Sequence, residues 1–320
     1  MENVQIKTPP EEPFLSYNRY LRERYGERVY RVAVDGGFSC PNRGADRQSP
    51  GCSYCDEYGS RAVYLPGKVP ALEKQVEAGL GFLRKRYSAE RFILYFQAFS
   101  GTFAPVEKLK ICYDTALSCH QFLELIVSTR PDCITPAAAD LLASYRGVLS
   151  DVWVELGLQS VHDRTLRRIQ RGHTFQDFHD SFLMLQSKGI KCAVHVIFGL
   201  PGESEEDMME TIDVLAALKP GGIKIHDLHI PQGTSMHREY LQGELALASS
   251  KRHAEYVIGA LERLPAECVV MRLTCDTPAE RRALPVEVPV KDAFYREIRK
   301  SMDARNTWQG KYMKPGSTGF

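Results

Sequence analysis

The chain has 320 residues, 43% of them hydrophobic and 25% charged, with a net charge of +1. That balance suits one large globular domain plus a smaller appendage, and it excludes a chain committed as a whole to nucleic acid. The longest apolar runs span only a few residues and the stretch from Met1 to Pro10 has no apolar core, so neither a membrane span, a membrane partner nor a signal peptide is expected, and the expected location is the cytoplasm.

Residues 1–28 read as a polar lead-in with Pro9, Pro10 and Pro13, followed by a short aromatic helix from Phe14 to Tyr25. A rhythm then occupies 29–235. Strands are expected at Val29–Asp35, Arg91–Gln97, Phe122–Ser128, Val152–Leu158, Lys191–Phe198 and Ile223–His229. Most are nearly continuous apolar runs, the pattern of strands buried on both faces of a parallel sheet. Helices are expected between them. One is opened by Pro70, with Leu72, Val76, Leu80, Leu83 and Tyr87 on one face. Others start near Pro105, run from Pro136 to Tyr145, and run from Thr174 to a stop at Gly189. A further one starts at the Ser204-x-x-Asp207 cap. Six right-handed βα units of this length make either an open doubly wound sheet or an α/β partial (β/α)6 TIM-like barrel. The rhythm stops near residue 236. The C-terminal extension, 236–320, is expected to hold a helix over 244–264, a strand at Cys268–Thr274 and a basic helix over 289–304. Its last forty residues carry nine Lys or Arg against four acids, a bias that favours a polyanion partner.

Nine cysteines without a secretory leader are not expected to be disulfides. Cys112, Cys119, Cys133, Cys192, Cys268 and Cys275 are scattered and read as small buried hydrophobes. Cys40, Cys52 and Cys55 are different: they form C-x11-C-x2-C just after the first strand. A structural zinc site is closed by four ligands. Three thiolates alone can instead hold a four-iron cluster with one iron open to a ligand.

In a parallel barrel the reactive residues gather where strands end. Here those ends carry the three cysteines, then Gln97-Ala-Phe-Ser-Gly-Thr-Phe103, then Ser128-Thr-Arg-Pro-Asp132, then Gln159-Ser160, then Gly199-Leu-Pro-Gly-Glu203. Glu155 interrupts an apolar strand, and a buried carboxylate requires a partner or a ligand. His195 is either a core histidine or a site residue. His226 and His229, three apart on a strand, would point to opposite faces and not share a metal. Arg171-Gly172-His173 is either a solvated turn or a carboxylate clamp. Gly199 to Gly202 could equally be a simple βα turn.

These blocks, with Val34-Asp-Gly-Gly-Phe-Ser-Cys-Pro-Asn-Arg43, Glu155-Leu-Gly-Leu-Gln-Ser160 and Trp308-Gln-Gly310, resemble the radical S-adenosylmethionine (SAM) superfamily. The long first cysteine interval is similar to that of the YhcC/YtqA-type subgroup and of the elongator catalytic subunit's radical SAM domain. The resemblance runs from about Tyr25 to the C-terminus; Thr274-Cys275-Asp276 stands where Thr-Gly-Asp would be expected. It implies a radical SAM barrel in which Cys40, Cys52 and Cys55 ligate a [4Fe-4S] cluster whose fourth iron binds SAM. It implies SAM contacts from Tyr54 at the adenine and from Ser100, Gly101 and Thr102 at the methionine amino group. Gln159 and Arg171 would hold polar groups, and His195 with Ile197 to Gly199 would lie near ribose and adenine. Gln97 and Glu155 are counted with the same cofactor site. It further implies reductive cleavage of SAM to a 5′-deoxyadenosyl radical, fed by an electron donor such as flavodoxin or ferredoxin. Three substrate readings stand beside one another: tRNA at the wobble uridine, with the basic tail and Trp308 contacting it; a small metabolite or peptide; or no substrate at all, in a zinc protein.

Overall fold

The computed structural model describes residues 11–44, 49–55, 64–65, 70–275, 282–285 and 290–313. The expected lead-in over 1–10 lies outside them, as do Arg281, Glu287 and Lys314 of the basic tail. Apolar runs and amphipathic segments alternate as the sequence suggests, and each run becomes a parallel strand: β1 (Val29–Val34), β2 (Arg91–Phe96), β3 (Glu124–Thr129), β4 (Asp151–Gln159), β5 (Lys191–Phe198) and β6 (Gly222–Asp227). They pair in chain order, each parallel to the next. A doubly wound sheet would reverse its order part-way; an unreversed order with one handed crossover curls the sheet into a half-barrel.

The expected six strands become seven. After the two-residue β7 (Ile230–Pro231), β8 (Val269–Arg272) joins parallel to β6, and β7 pairs with β9 (Arg282–Leu284) in a separate ribbon. The extension therefore continues the sheet. The 37 residues between β7 and β8 (232–268) hid this, because they stretch the spacing past that of the earlier units and hold two helices. β6 also ends at Asp227, so His229 lies beyond the strand and the opposite-face argument does not apply to it.

Side chains alternate between two layers. Outward ones, such as Val32, Phe92, Leu94, Val127, Val154 and Val196, meet the helices in the main core. The helices are α1 (Tyr17–Tyr25), α2 (Leu72–Tyr87), α3 (Val106–Ser118), α4 (Pro136–Ser144), α5 (Asp163–Arg168), α6 (Phe175–Ser187), α7 (Glu205–Leu218), α8 (Ser235–Leu241), α9 (Ser250–Arg263) and α10 (Lys291–Ala304). Thr174 and Ser204 both close full capping boxes, with Asp177 and Asp207, each cap being worth about 1 kcal/mol. Short α5 and α8 had no sequence signal, since six or seven residues show little periodicity.

Inward side chains form a second cluster: Ala33, Ile93, Tyr95, Ile126, Trp153, Ala193 and Met271, joined by Tyr17 and Leu21 of α1. α1 touches both edge strands, β1 and β8, and Val270 N–H donates to Leu15 O at 2.8 Å. The first helix thus lies against both edges of the half-barrel. Below it, the Gln309 side chain donates to Pro265 O and Cys268 O, and its Oε1 accepts from Leu15 N. Both ends of the described chain are tied together at the amino end of β8.

Candidate active site

The loop after β1 carries the cysteines, and three neighbours point N–H groups at their sulfurs. Pro41–Arg43 forms a single 3-10 turn. It brings Asn42 Nδ2 to 3.3 Å from Cys52 Sγ and Arg43 Nη2 to 3.3 Å from Cys55 Sγ. Arg171 Nη1 reaches Cys52 Sγ at 3.5 Å. Burial opposes the Cys52 thiolate, but the Arg171 charge and hydrogen bond, then Arg130, pull its thiol below the usual value. The turn holding Cys52 and Cys55 is closed by Cys55 N–H to Cys52 O at 2.9 Å. It is pinned from two sides: Ser53 N donates to Ile169 O, and Met236 N donates to Ser53 O.

Arg171 owes its position to Gly157. A Cβ there would stand 2.6 Å from Arg171 Nη2. Without one, the guanidinium lies on β4 and donates twice to Gly157 O, at 2.6 and 3.2 Å. Its Nε also donates to His173 Nε2, while His173 Nδ1 donates to Thr174 O. Burial and then the Arg171 charge push His173 down to about 4, so it is neutral at pH 7. Arg130 reaches Arg171 O and pairs with Asp132 in two hydrogen bonds of 2.8 Å. A bulge between Gly157 and Gln159 turns Gln159 into the left-handed region at φ +81°, a conformation that costs a non-glycine residue roughly 1–2 kcal/mol.

At the next strand end, Ser100 Oγ is buried and has no hydrogen-bond partner. Gly101 N–H donates to Ser128 O, and a Cβ there would meet Ser128 O at 2.9 Å. Thr102 Oγ1 meets Thr129 Oγ1 at 2.7 Å and donates to Cys133 O, so this hydroxyl ties two strand-end loops together. Gln97 follows β2 with its N–H on Val34 O. Tyr54 packs on the apolar cluster of Ile197, Leu200, Leu228 and Ile230. Gly199, at φ +83°, ends β5 and donates to Met208 Sδ.

A family model for the radical SAM superfamily matches residues 40–215, and one for the radical SAM C-terminal domain matches 220–304. The chain belongs to the radical SAM superfamily. It is 36% identical to the uncharacterised protein YtqA of Bacillus subtilis over 95% of this chain and 94% of that one. It is 26% identical to a tRNA uridine(34) acetyltransferase of Methanocaldococcus infernus over 50% of this chain, a stretch that spans 30% of the acetyltransferase. Among solved structures it resembles archaeal Methanocaldococcus infernus Elp3, with a TM-score of 0.66 and 19% identity over 88% of this chain and 64% of that one, a likeness of fold.

This family's enzymes imply a [4Fe-4S] cluster and SAM, and the residues present fit them. Two of the three sulfurs accept N–H groups, which suits an anionic cluster, and the orphaned Ser100 hydroxyl leaves a polar contact open beside the triad. The one group among the described residues with mononuclear spacing is His162, Asp207 and Glu210. Its Asp207 already pairs with Arg164 and caps α7.

Glu155 and His195 face the barrel interior, His195 in register with the Gly157 on which Arg171 lies. They belong to a charged group inside the barrel. Glu155 Oε2 accepts from Lys224 Nζ at 2.5 Å, Tyr95 OH at 2.6 Å and His195 Nε2 at 3.0 Å. Burial opposes its ionisation, yet the Lys224 charge and then the His195 hydrogen bond hold the carboxyl well below the usual range. Burial, then Lys224, lowers His195 to about 4, so it donates as a neutral imidazole. His226 stands beside it, ring centroids 5.5 Å apart. Lys224, Arg31, Tyr95 and Arg272 escaped the sequence reading, whereas Asn42, Arg43 and Arg130 stood inside its motif blocks without a role of their own. For Lys224 and Arg31 the signal existed: each is a charge inside an apolar strand, the same feature that singled out Glu155.

Trp308 is at the other end of the molecule. Gly310 N–H donates to Leu261 O beside the Gln309 clamp, and Lys311 covers the Trp308 ring at 5.2 Å from its centroid. The Trp308–Gly310 turn closes the floor of the sheet, so a tRNA contact from Trp308 would fall on that side of the molecule.

Proposed function

We propose that Cys40, Cys52 and Cys55 hold a [4Fe-4S] cluster with SAM at its open iron, and that the enzyme modifies a tRNA nucleotide at the wobble uridine. The observation that carries the first half is the thiol triad with N–H donors on two of its sulfurs. When bound and reduced by a donor such as flavodoxin or ferredoxin, the cluster and SAM supply a 5′-deoxyadenosyl radical that removes a hydrogen atom from substrate. The chain's own residues do the rest. Asn42, Arg43 and Arg171 stabilise negative charge at sulfur. Ser100, Gln159 and the Gly101 backbone offer polar contacts to the methionine end, and Tyr54 with Ile197 offers an apolar wall to adenine. The curled sheet keeps bulk water from the radical.

Anaerobic reconstitution tests this half. It should give about four irons per chain and SAM cleavage on reduction, and Cys52→Ala should lose both. A Cys52→Ala protein with full iron and full cleavage would overturn the ligand assignment. The tRNA half is supported by the partial similarity to a tRNA uridine(34) acetyltransferase and by the basic last forty residues. Nucleoside mass analysis of tRNA from a deletion strain should show a changed uridine-34 derivative; an unchanged profile rejects the tRNA substrate.

A further inference from the structure

The charged group in the barrel does not balance. Each strand's inward face can be followed. β1 gives Arg31, β2 gives Tyr95, β3 gives Ile126, β4 gives Glu155, β5 gives His195, β6 gives Lys224 and His226, and β8 gives Arg272; α1 adds Tyr17. Two guanidiniums and Lys224, which burial lowers to about 7, thus face one carboxylate, and both histidines are neutral. Glu155 hydrogen-bonds Lys224, meets Arg31 only as a long ion pair, and hydrogen-bonds neither guanidinium. Arg31 Nη1 stands 3.7 Å from Glu155 Oε1, too far for a hydrogen bond, and both atoms are buried without a partner. Arg272 Nε is likewise buried without one. Aromatic faces lie near Arg31, with the Tyr17 and Tyr95 ring centroids 4.9 and 5.3 Å from its Cζ. They orient that cation without satisfying its N–H groups.

Position matters as much as charge. Register sets Gly157, His195, Lys224 and Arg272 side by side across β4, β5, β6 and β8. The Arg272 charge acts on Tyr95, His195, Lys224 and His226, which places it in the same space. Arg31 and Arg272 come from the two edge strands, so they face the barrel from either side of its open seam. Arg31, His195 and Arg272 keep partial exposure, so water reaches this space. Uncompensated guanidinium N–H groups in a barrel interior are costly. Their planar forks match a tetrahedral or trigonal oxyanion.

We propose that the seam side of the barrel, between β8 and β1, binds one oxyanion of the substrate, a phosphate or a carboxylate, held by Arg31, Lys224 and Arg272. The site deepens the function above, and it rests on that reading only in assigning the anion to the substrate. A phosphate would come from a nucleotide, a carboxylate from a small acid. The group enters beside the sheet layer that carries Gly157 and so lies next to Arg171. Glu155 then has a defined role: it keeps Lys224 positioned and limits the anion's charge.

The test uses the reconstituted full-length protein. Line broadening of inorganic phosphate (31P) and of [13C]acetate is followed at matched ionic strength, with chloride as control. Arg272→Gln and Arg31→Gln are compared, both of which leave the Glu155–Lys224 pair intact. Saturable broadening of one oxyanion, weakened about tenfold or more in each variant at unchanged iron content, is the expected result. Preference for phosphate assigns a nucleotide source, and preference for acetate a carboxylate source. Absence of saturable broadening on iron-loaded protein overturns the site, as does wild-type broadening in both variants. Loss of iron with anion binding retained would instead defeat the cluster assignment and leave the oxyanion site standing.

Discussion

The cysteine mouth and the barrel interior treat charge in opposite ways. At the mouth, cationic and amide groups come from loops: Asn42 and Arg43 from a 3-10 turn, Arg171 from the loop after α5. They aim at sulfur, and they hold their places through backbone hydrogen bonds such as Arg171 to Gly157 O. In the interior, Arg31, Glu155, Lys224 and Arg272 stand on rigid strands and mostly address one another. The mouth gathers N–H donors from several loops onto two sulfurs. The interior is a fixed arrangement of side chains with a cationic remainder. On the proposals above, cofactor chemistry and substrate preference are carried by different elements and can change independently.

The largest effect that should separate the two regions is removal of the Lys224 ammonium. Lys224→Met leaves Glu155 buried with its main partner gone, and unfolding by urea should show a loss of about 3–5 kcal/mol. The double variant Glu155→Gln with Lys224→Met should recover much of that loss. Equal losses in single and double variants would show that packing, not charge, holds this layer.

Acid comes next. His173 at the mouth and His195 in the interior are both lowered to about 4, from an ordinary 6.5, by burial first and then by Arg171 and Lys224 respectively. Below 6.5 the unfolded chain binds protons that the folded chain refuses, so stability falls as pH drops from 6.5 toward 4. Each histidine contributes up to about 3 kcal/mol to that fall. His173→Gln and His195→Gln should each flatten the slope of stability against pH in that window. A slope unchanged in both would refute the neutral, buried assignment.

Gly157→Ala is a smaller, local perturbation of the mouth. The added Cβ displaces Arg171, at a cost of about 1–3 kcal/mol. The Cys52 thiol should then titrate higher, as alkylation rates against pH would report. An unmoved thiol would mean that Arg171 is not its chief stabiliser.

Arg43→Ala is the finest probe. It removes the N–H group at Cys55 Sγ, and a hydrogen bond of about 1 kcal/mol corresponds to roughly 50 mV for one electron. Potentiometric titration should find the reconstituted cluster harder to reduce by that order. The interior variants should leave the potential where it is.

Much of this was written in the chain. Continuous apolar runs at βα spacing specified parallel strands, and the caps at Thr174 and Ser204 specified where helices begin, because both are local rules of side-chain burial and backbone hydrogen bonding. The C-x11-C-x2-C triad and its place after the first strand pointed to a metal centre with an open position, and the resemblance of the surrounding blocks supplied the radical SAM reading. Tertiary structure alone decided the rest. It made β8 the seventh strand, carried Trp308 to the floor, and drew Glu155 and His195 into one group with Lys224 and Tyr95. None of these depends on neighbours in sequence. Glu155 and Lys224 are 69 residues apart, and only the curl of the sheet, which turns alternate side chains of seven strands toward one axis, brings their charges together.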